Sequence, residues 1–290
     1  MRTFSTAAQS DAFTITAELT LGRNTTADEV ARQARLFAGQ ADGVQVADNP
    51  LAWVNMSALA ASALLLQEGI DPIPILTCRD RNRIALTSDL LGLRALGVTS
   101  VLLTRGRRVP KKHPLHASTV FDLTARELIA MAQAMNEEGD GQKAAFFIGT
   151  GAKAHRARSG WRGDSLRARA EAGAQFLQTQ ICFDLDLLRQ YMERLVQAQL
   201  TWRYSVIVSL TPLPSAETAR WVKDNMLDSK IPDTIIERLE QADDPLAEGI
   251  GICAETMRAM AGIPGISGVN LMTTGEPEHI AAAIEASGLR

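Results

Sequence analysis

The stretch Phe13-Thr-Ile-Thr-Ala-Glu-Leu-Thr-Leu-Gly-Arg-Asn24 decides between two α/β architectures. Residues 13–18 are apolar or β-branched up to a closing glutamate, and they read as a first strand. An open doubly wound sheet wants a glycine-rich phosphate turn, GxGxxG, after that strand. The residues that follow here, Leu19-Thr-Leu-Gly-Arg-Asn24, hold one glycine and no such turn. A closed barrel has no need of it.

Outward from this strand, short apolar runs alternate with longer helical patterns. Strands are expected at 13–18, 43–47, 73–77, 100–104, 144–148, 176–179, 205–210 and 268–272. Helices are expected at 27–37, 56–67, 83–96, 124–136, 166–172, 185–199, 216–224, 231–241, 245–261 and 277–286. Such alternation implies parallel strands joined by helical crossovers. Parallel strands buried on both faces should be continuous apolar runs, as Val101-Leu-Leu103 and Val206-Ile-Val208 are. Eight such units in 290 residues fit a single-domain (β/α)₈ TIM barrel spanning residues 1–290. Gly139-Asp-Gly141 reads as a turn, and the Arg- and Lys-rich residues 152–169 as a loop running into a helix.

Composition excludes several classes of partner. Apolar residues make up 46% and charged residues 22%, with a net charge of −3, which is ordinary for a globular chain. No large basic block stands out, so nucleic acid is not an expected partner. The short run Arg105-Gly-Arg-Arg-Val-Pro-Lys-Lys112 is the local exception. No apolar run is long enough to span a membrane. The first residues, Met1-Arg-Thr-Phe-Ser-Thr, lack the apolar core of a signal peptide. Cys78, Cys182 and Cys253 are far apart, without metal-ligand spacing, which points to reduced thiols and the cytoplasm. Association into a homo-oligomer stays open.

In a barrel, polar residues that end strands face the active-site mouth. Glu18 is the best general-acid candidate, since a partly buried carboxyl there could have a raised pKa. The rival reading is an ionised Glu18 paired with an arginine. Gln180 offers amide donors and an acceptor to a flat heterocycle, or else a hydrogen bond within the barrel. Asp48 could bind a ligand or cap the following helix. In Arg79-Asp-Arg-Asn-Arg83 an anion site competes with an Asp80 cap flanked by solvated arginines. The histidines, His113, His116, His155 and His279, are expected at the surface, and no metal site is expected.

Several segments together carry a family resemblance. Ile73-Pro-Ile-Leu-Thr-Cys-Arg-Asp-Arg-Asn-Arg-Ile-Ala-Leu-Thr-Ser-Asp-Leu-Leu-Gly92 closely resembles a segment in one branch of the methylenetetrahydrofolate reductases. Ile15-Thr-Ala-Glu-Leu-Thr20, Val46-Ala-Asp-Asn-Pro50, Glu171-Ala-Gly-Ala-Gln-Phe-Leu-Gln-Thr-Gln180 with Phe183-Asp184, and Gly265-Ile-Ser-Gly-Val-Asn-Leu-Met272 agree in order. The resemblance covers nearly the whole chain. It implies a (β/α)₈ barrel that reduces 5,10-methylenetetrahydrofolate to 5-methyltetrahydrofolate with NADH or NADPH, through a bound FAD or by a flavin-independent variant. By the same resemblance, Glu18 matches the acid that protonates the folate amine, and Gln180 the pterin ligand. Asp48 and Thr104 fall on the substrate side, and Thr77, Arg105, Arg107, Phe147 and Arg169 on the cofactor side. The alternatives on the same barrel are a folate-dependent methyl-transfer or demethylation enzyme and a folate-binding protein.

The departures from the family pattern are specific. Where the family usually carries Gly-Asp after the fourth strand, this chain has Gly106-Arg107. Arginine offers only donors, so Arg107 cannot replace a carboxylate's contact with folate. It could instead stabilise a reduced flavin or bind a phosphate. A histidine before Leu-Thr-Cys in some members is Ile75 here, and the loop after the fifth strand is Gly149-Thr-Gly-Ala-Lys153.

Overall fold

The computed structural model describes residues 3–138, 145–226 and 228–290. The expected turn at Gly139-Asp-Gly141, and Ala144 at the start of the expected fifth strand, lie outside them.

Eight parallel strands close into a barrel in sequence order. They are β1 (Thr14–Glu18), β2 (Gly43–Val46), β3 (Pro72–Thr77), β4 (Ser100–Thr104), β5 (Phe147–Gly151), β6 (Phe176–Ile181), β7 (Ser205–Leu210) and β8 (Ile266–Leu271). A short helix α1 (Phe4–Ala8) precedes β1. The crossovers are α2 (Ala27–Phe37), α3 (Ala58–Gln67), α4 (Arg83–Ala95), α5 (Ala125–Glu137), α6 (Asp164–Glu171) and α7 (Leu185–Gln197). After β7 come α8 (Ala216–Asn225), α9 (Asp233–Gln241) and α10 (Pro245–Ala261), and α11 (Pro277–Ser287) follows β8.

Side chains alternate across each strand, so every second residue points into the barrel. The outward set, including Ile15, Ala17, Val44, Val46, Val101, Leu103, Val206 and Val208, packs beneath the helices in one buried core. The inward set is layered. At the lower end Ile73, Leu102, Phe147, Phe176 and Ile207 form an apolar plug with Phe4 and Ala8 of α1. The aromatic rings interlock, with Phe147 stacked on Phe176 at 5.1 Å and Phe4 edge-on to Phe176 at 5.0 Å. Asp71 holds α1 in place by accepting from the Phe4 N–H at 2.7 Å.

Above the plug lies a belt of polar side chains. Gln45 Nε2 donates to Gln178 Oε1 at 2.6 Å, and Gln178 Nε2 donates back to Gln45 Oε1 at 2.9 Å. Asn270 Nδ2 also donates to Gln45 Oε1 at 3.1 Å, and Thr16 donates to Asn270 Oδ1 at 2.8 Å. The belt thus joins β1, β2, β6 and β8 through buried groups that satisfy one another.

Two expectations need correction here. Strand β5 runs Phe147–Gly151 rather than 144–148. Glycines at 149 and 151 suggest a loop in the sequence, but Gly149 is needed inside the strand. A Cβ there would stand 2.1 Å from Phe176 Cζ, so the ring fills the space a side chain would take. The shift moves Phe147 from the strand's end to its start. The second correction concerns α4, whose N-cap is Asn82, its side chain accepting from the Ala85 N–H, and not Asp80. Asp80 instead forms a two-pronged pair with the buried Arg79.

Replacing Gly149 with Ala should therefore displace the Phe176 ring and cost about 3 kcal/mol or more, at the upper end of core overpacking. Urea unfolding of the variant against the parent measures this, and an unchanged midpoint would refute the packing assignment.

Candidate active site at the barrel mouth

A cavity of about 870 Å³ opens above the polar belt. Gln45, Gln178, Ile75 and Leu102 are among the residues lining it, together with the ends of β4 to β7 and the loops after them. Its size and largely apolar lining with a few polar groups suit a small-molecule ligand.

Glu18 ends β1 on the inward side, two residues beyond Thr16. Its register partner is Gln45, which lines the cavity. Glu18 itself is not part of the cavity wall, so it stands beside it. It is 7% exposed, and among the described residues no side chain hydrogen-bonds or pairs with its carboxyl. Burial alone pushes its pKa up to about 7. The arginine pairing considered from the sequence is not formed among the described residues.

Three other predicted residues lie away from the cavity wall. Asp48 is buried and accepts at Oδ2 from the Thr77 N–H at 2.8 Å and from the Thr77 hydroxyl at 2.9 Å. Arg81 completes this group by pairing with Asp48 and, at 2.8 Å, with Asp89. Burial raises the Asp48 pKa, while Arg81 and Thr77 oppose the rise. Asp48 and Thr77 are thus engaged with each other, and Arg79 and Arg81 are ion-paired rather than solvated. Phe147 sits in the lower plug because its strand starts there.

Thr104, Arg105, Arg107, Arg169 and Gln180 do line the cavity. Arg105 stacks over the Phe121 ring at 4.1 Å. Arg169 donates to Gly151 O at 2.5 Å and to Thr150 Oγ1 at 3.1 Å. Burial pulls its pKa down, and the group stays cationic in any case. Among the described residues, neither Arg105, Arg107 nor Arg169 pairs with a carboxylate. Gln180 is partly engaged, accepting from the Ala154 N–H and donating to Ala154 O, both at 2.9 Å. That leaves one N–H and one lone pair of its amide free for a ligand.

Sequence reasoning missed part of the wall. His155, Trp161 and Tyr191 form an aromatic side, with ring centroids 5.5 to 6.0 Å apart. The aromatics Trp161 and His155 in the basic stretch 152–169 were the available signal. Asp228 and Lys153, 2.6 Å apart, bridge across the wall. His113 is another correction, being buried with Nε2 2.9 Å from Ala52 O rather than at the surface. No group of His, Cys, Asp and Glu among the described residues could hold a metal ion. No helix among them is long and apolar enough to cross a membrane.

A parallel eight-stranded barrel with a ligand cavity at the carboxyl ends of its strands belongs with the (β/α)₈ enzymes and binders. The family described as methylenetetrahydrofolate reductase matches residues 3–288, and the chain belongs to that family. No curated protein sequence matches it. Among solved structures, an uncharacterized protein from Clostridium thermocellum that binds two copies of 5-methyl-5,6,7,8-tetrahydrofolic acid is similar, with a TM-score of 0.67 and 16% identity. That match covers 98% of this chain and 96% of the other. A 2,3-dimethylmalate lyase of the PEP mutase/isocitrate lyase superfamily has a TM-score of 0.51 at 10% identity, over 91% of this chain and 78% of that one. At such identities the likeness is one of fold.

The family implies FAD, and the residues present fit it only in part. Unpaired Arg105, Arg107 and Arg169 suit the phosphates of a dinucleotide. The contacts expected from Thr77 and Phe147 are lacking, since one faces Asp48 and the other lies in the plug. The wall therefore fits a phosphate-bearing ligand without selecting a flavin.

The raised Glu18 pKa has a measurable consequence for folding. A carboxyl with pKa about 7 folded and 4.5 unfolded contributes stability below pH 4.5 that is lost as pH rises through 7. Glu18→Gln removes that dependence. Its stability relative to the parent should rise by about 3 kcal/mol between pH 4 and pH 8, at roughly 1.4 kcal/mol per unit. Denaturant titrations at the two pH values test this, and parallel behaviour of the two proteins would refute it.

Proposed function

We propose that the protein reduces 5,10-methylenetetrahydrofolate to 5-methyltetrahydrofolate with NADH or NADPH. The observation that carries this reading is Glu18, a buried carboxyl beside the cavity floor, without a side-chain partner among the described residues and substantially protonated near neutral pH. Reduction of the methylene bridge requires the five-membered ring to open. A proton delivered to the folate amine nitrogen lets the C–N bond break and leaves an iminium to accept hydride. A carboxylic acid with pKa near the operating pH is well matched to that step. Family membership supports the same chemistry.

The remaining residues have complementary parts. Arg105, Arg107 and Arg169 attract the phosphates of the nicotinamide dinucleotide, and the free half of the Gln180 amide meets the pterin. Ile75, Leu102 and the aromatic side keep water from the reacting atoms. A reduced nicotinamide supplies the hydride when bound. No step is assigned to a flavin, because Thr77 and Phe147, two of the expected cofactor residues, are engaged elsewhere. The second reading is a folate-dependent methyl-transfer or demethylation enzyme, or a folate-binding protein. It draws on the 5-methyl ligand of the Clostridium thermocellum protein.

Glu18→Gln should bind folate normally and lose turnover by at least about a hundredfold, within the usual range for a general acid. Parent activity should fall as pH rises through about 7, where Glu18 gives up its proton. Oxidation of NADH and NADPH with methylenetetrahydrofolate, followed by absorbance, tests both. Folate binding without nicotinamide oxidation would favour the second reading. Purified protein should also lack flavin absorbance and be active without added FAD. Activity that appears only with FAD would reverse the flavin assignment.

A further inference from the structure

Asp228 has no part in the chemistry described so far. Among the described residues that line the cavity it is the one acidic side chain, set in a wall of donors that includes Arg105, Arg107 and Arg169. It lies between α8 and α9, and the chain just after it is fastened to the end of β6. Lys230 N donates to Ile181 O at 2.8 Å, and Phe183 N donates to Lys230 O at 2.7 Å. These bonds hold Asp228 on the same side of the mouth as Gln180.

The backbone at Asp228 is left-handed, with φ +60°. L-residues adopt that conformation at a cost, Asn and Asp least reluctantly. The carboxylate is charge-paired with Lys153 at 2.6 Å. Yet Oδ2 is shielded from water and takes no hydrogen bond of good geometry. With Oδ2 occupied by Lys153, Oδ1 is the oxygen left to accept from a ligand.

We propose that Asp228 is a substrate-binding residue that recognises the 2-amino-4-oxopyrimidine edge of the pterin. This rests on the folate reading above. That edge presents the 2-amino N–H and the ring N3–H side by side, and two adjacent donors can converge on one carboxylate oxygen, here Oδ1. Arginine and lysine have no acceptor to offer them. Gln180, with half its amide bound to Ala154, supplies one lone pair at most. Asp228 therefore fixes which way round the pterin lies, with Lys153 held against its other oxygen.

The test compares binding of 5-methyltetrahydrofolate with that of its analogue lacking the 2-amino group, by titration calorimetry on the full chain. The parent should prefer the amino form by about tenfold or more, the scale of a hydrogen bond to a charged group. Asp228→Asn suits the left-handed backbone and should fold. It should bind 5-methyltetrahydrofolate about tenfold to a hundredfold more weakly and lose the preference. Lys153→Met breaks the same ion pair but leaves the carboxylate, so its preference should persist. If Asp228→Asn keeps the full preference, or Lys153→Met abolishes it as completely, Asp228 is only a tether between loops and the proposal falls. Failure of the parent to bind either compound would instead overturn the folate reading, and this proposal with it.

Discussion

The reciprocal amide pair between Gln45 and Gln178 is the contact on which the site depends. A closed eight-stranded barrel is just wide enough to be filled by side chains, and apolar packing throughout would leave no cavity. Here packing stops at Phe147, Phe176 and Leu102, and hydrogen-bonded amides take over. Because Gln45 and Gln178 satisfy each other, with Asn270 and Thr16 completing the set, the barrel can change from a dry plug to an open mouth while the amides of the belt stay paired. The belt fixes the height of the cavity floor. It also brings Glu18, the register partner of Gln45, to the level where a ligand would lie.

The charged groups around the mouth divide into two kinds. On the side of β2 and β3 they cancel locally, in the Asp48–Arg81–Asp89 and Arg79–Asp80 pairs. These fasten loops to strands and leave little for a ligand. On the side of β4 to β6 the arginines that line the cavity pair with no carboxylate among the described residues and remain available to anions. Glu18 belongs to neither set. It has been withdrawn from water without receiving a side-chain partner among the described residues, which is how a carboxyl becomes a proton donor near neutral pH.

Much of this architecture was legible in the sequence. Strands buried on both faces, such as Val101-Leu-Leu103 and Val206-Ile-Val208, announce themselves as apolar runs. Glu18, Thr104 and the arginines after β4 were placed at strand ends by that alternation. Reading failed where a residue's role depends on a distant neighbour. Gly149 looks like a loop residue until Phe176 is seen filling its place. Asp80 looks like a helix cap until Arg79 claims it. Helix α1 has five residues, too few for a periodic pattern, and only its fit beneath the barrel explains it. Asp228 becomes visible only when the α8–α9 connection is seen to join the end of β6.

The small helix beneath the barrel bears on traffic as well as on packing. With Phe4 wedged against Phe147 and Phe176, and Asp71 gripping its first turn, the lower end is stoppered. The chamber above is a cul-de-sac. A ligand that enters by the mouth leaves by the mouth, and an occupant blocks the next arrival until it leaves. Such a vessel imposes an order of entry and exit on its occupants, set by the plug at its base as much as by the residues that touch them.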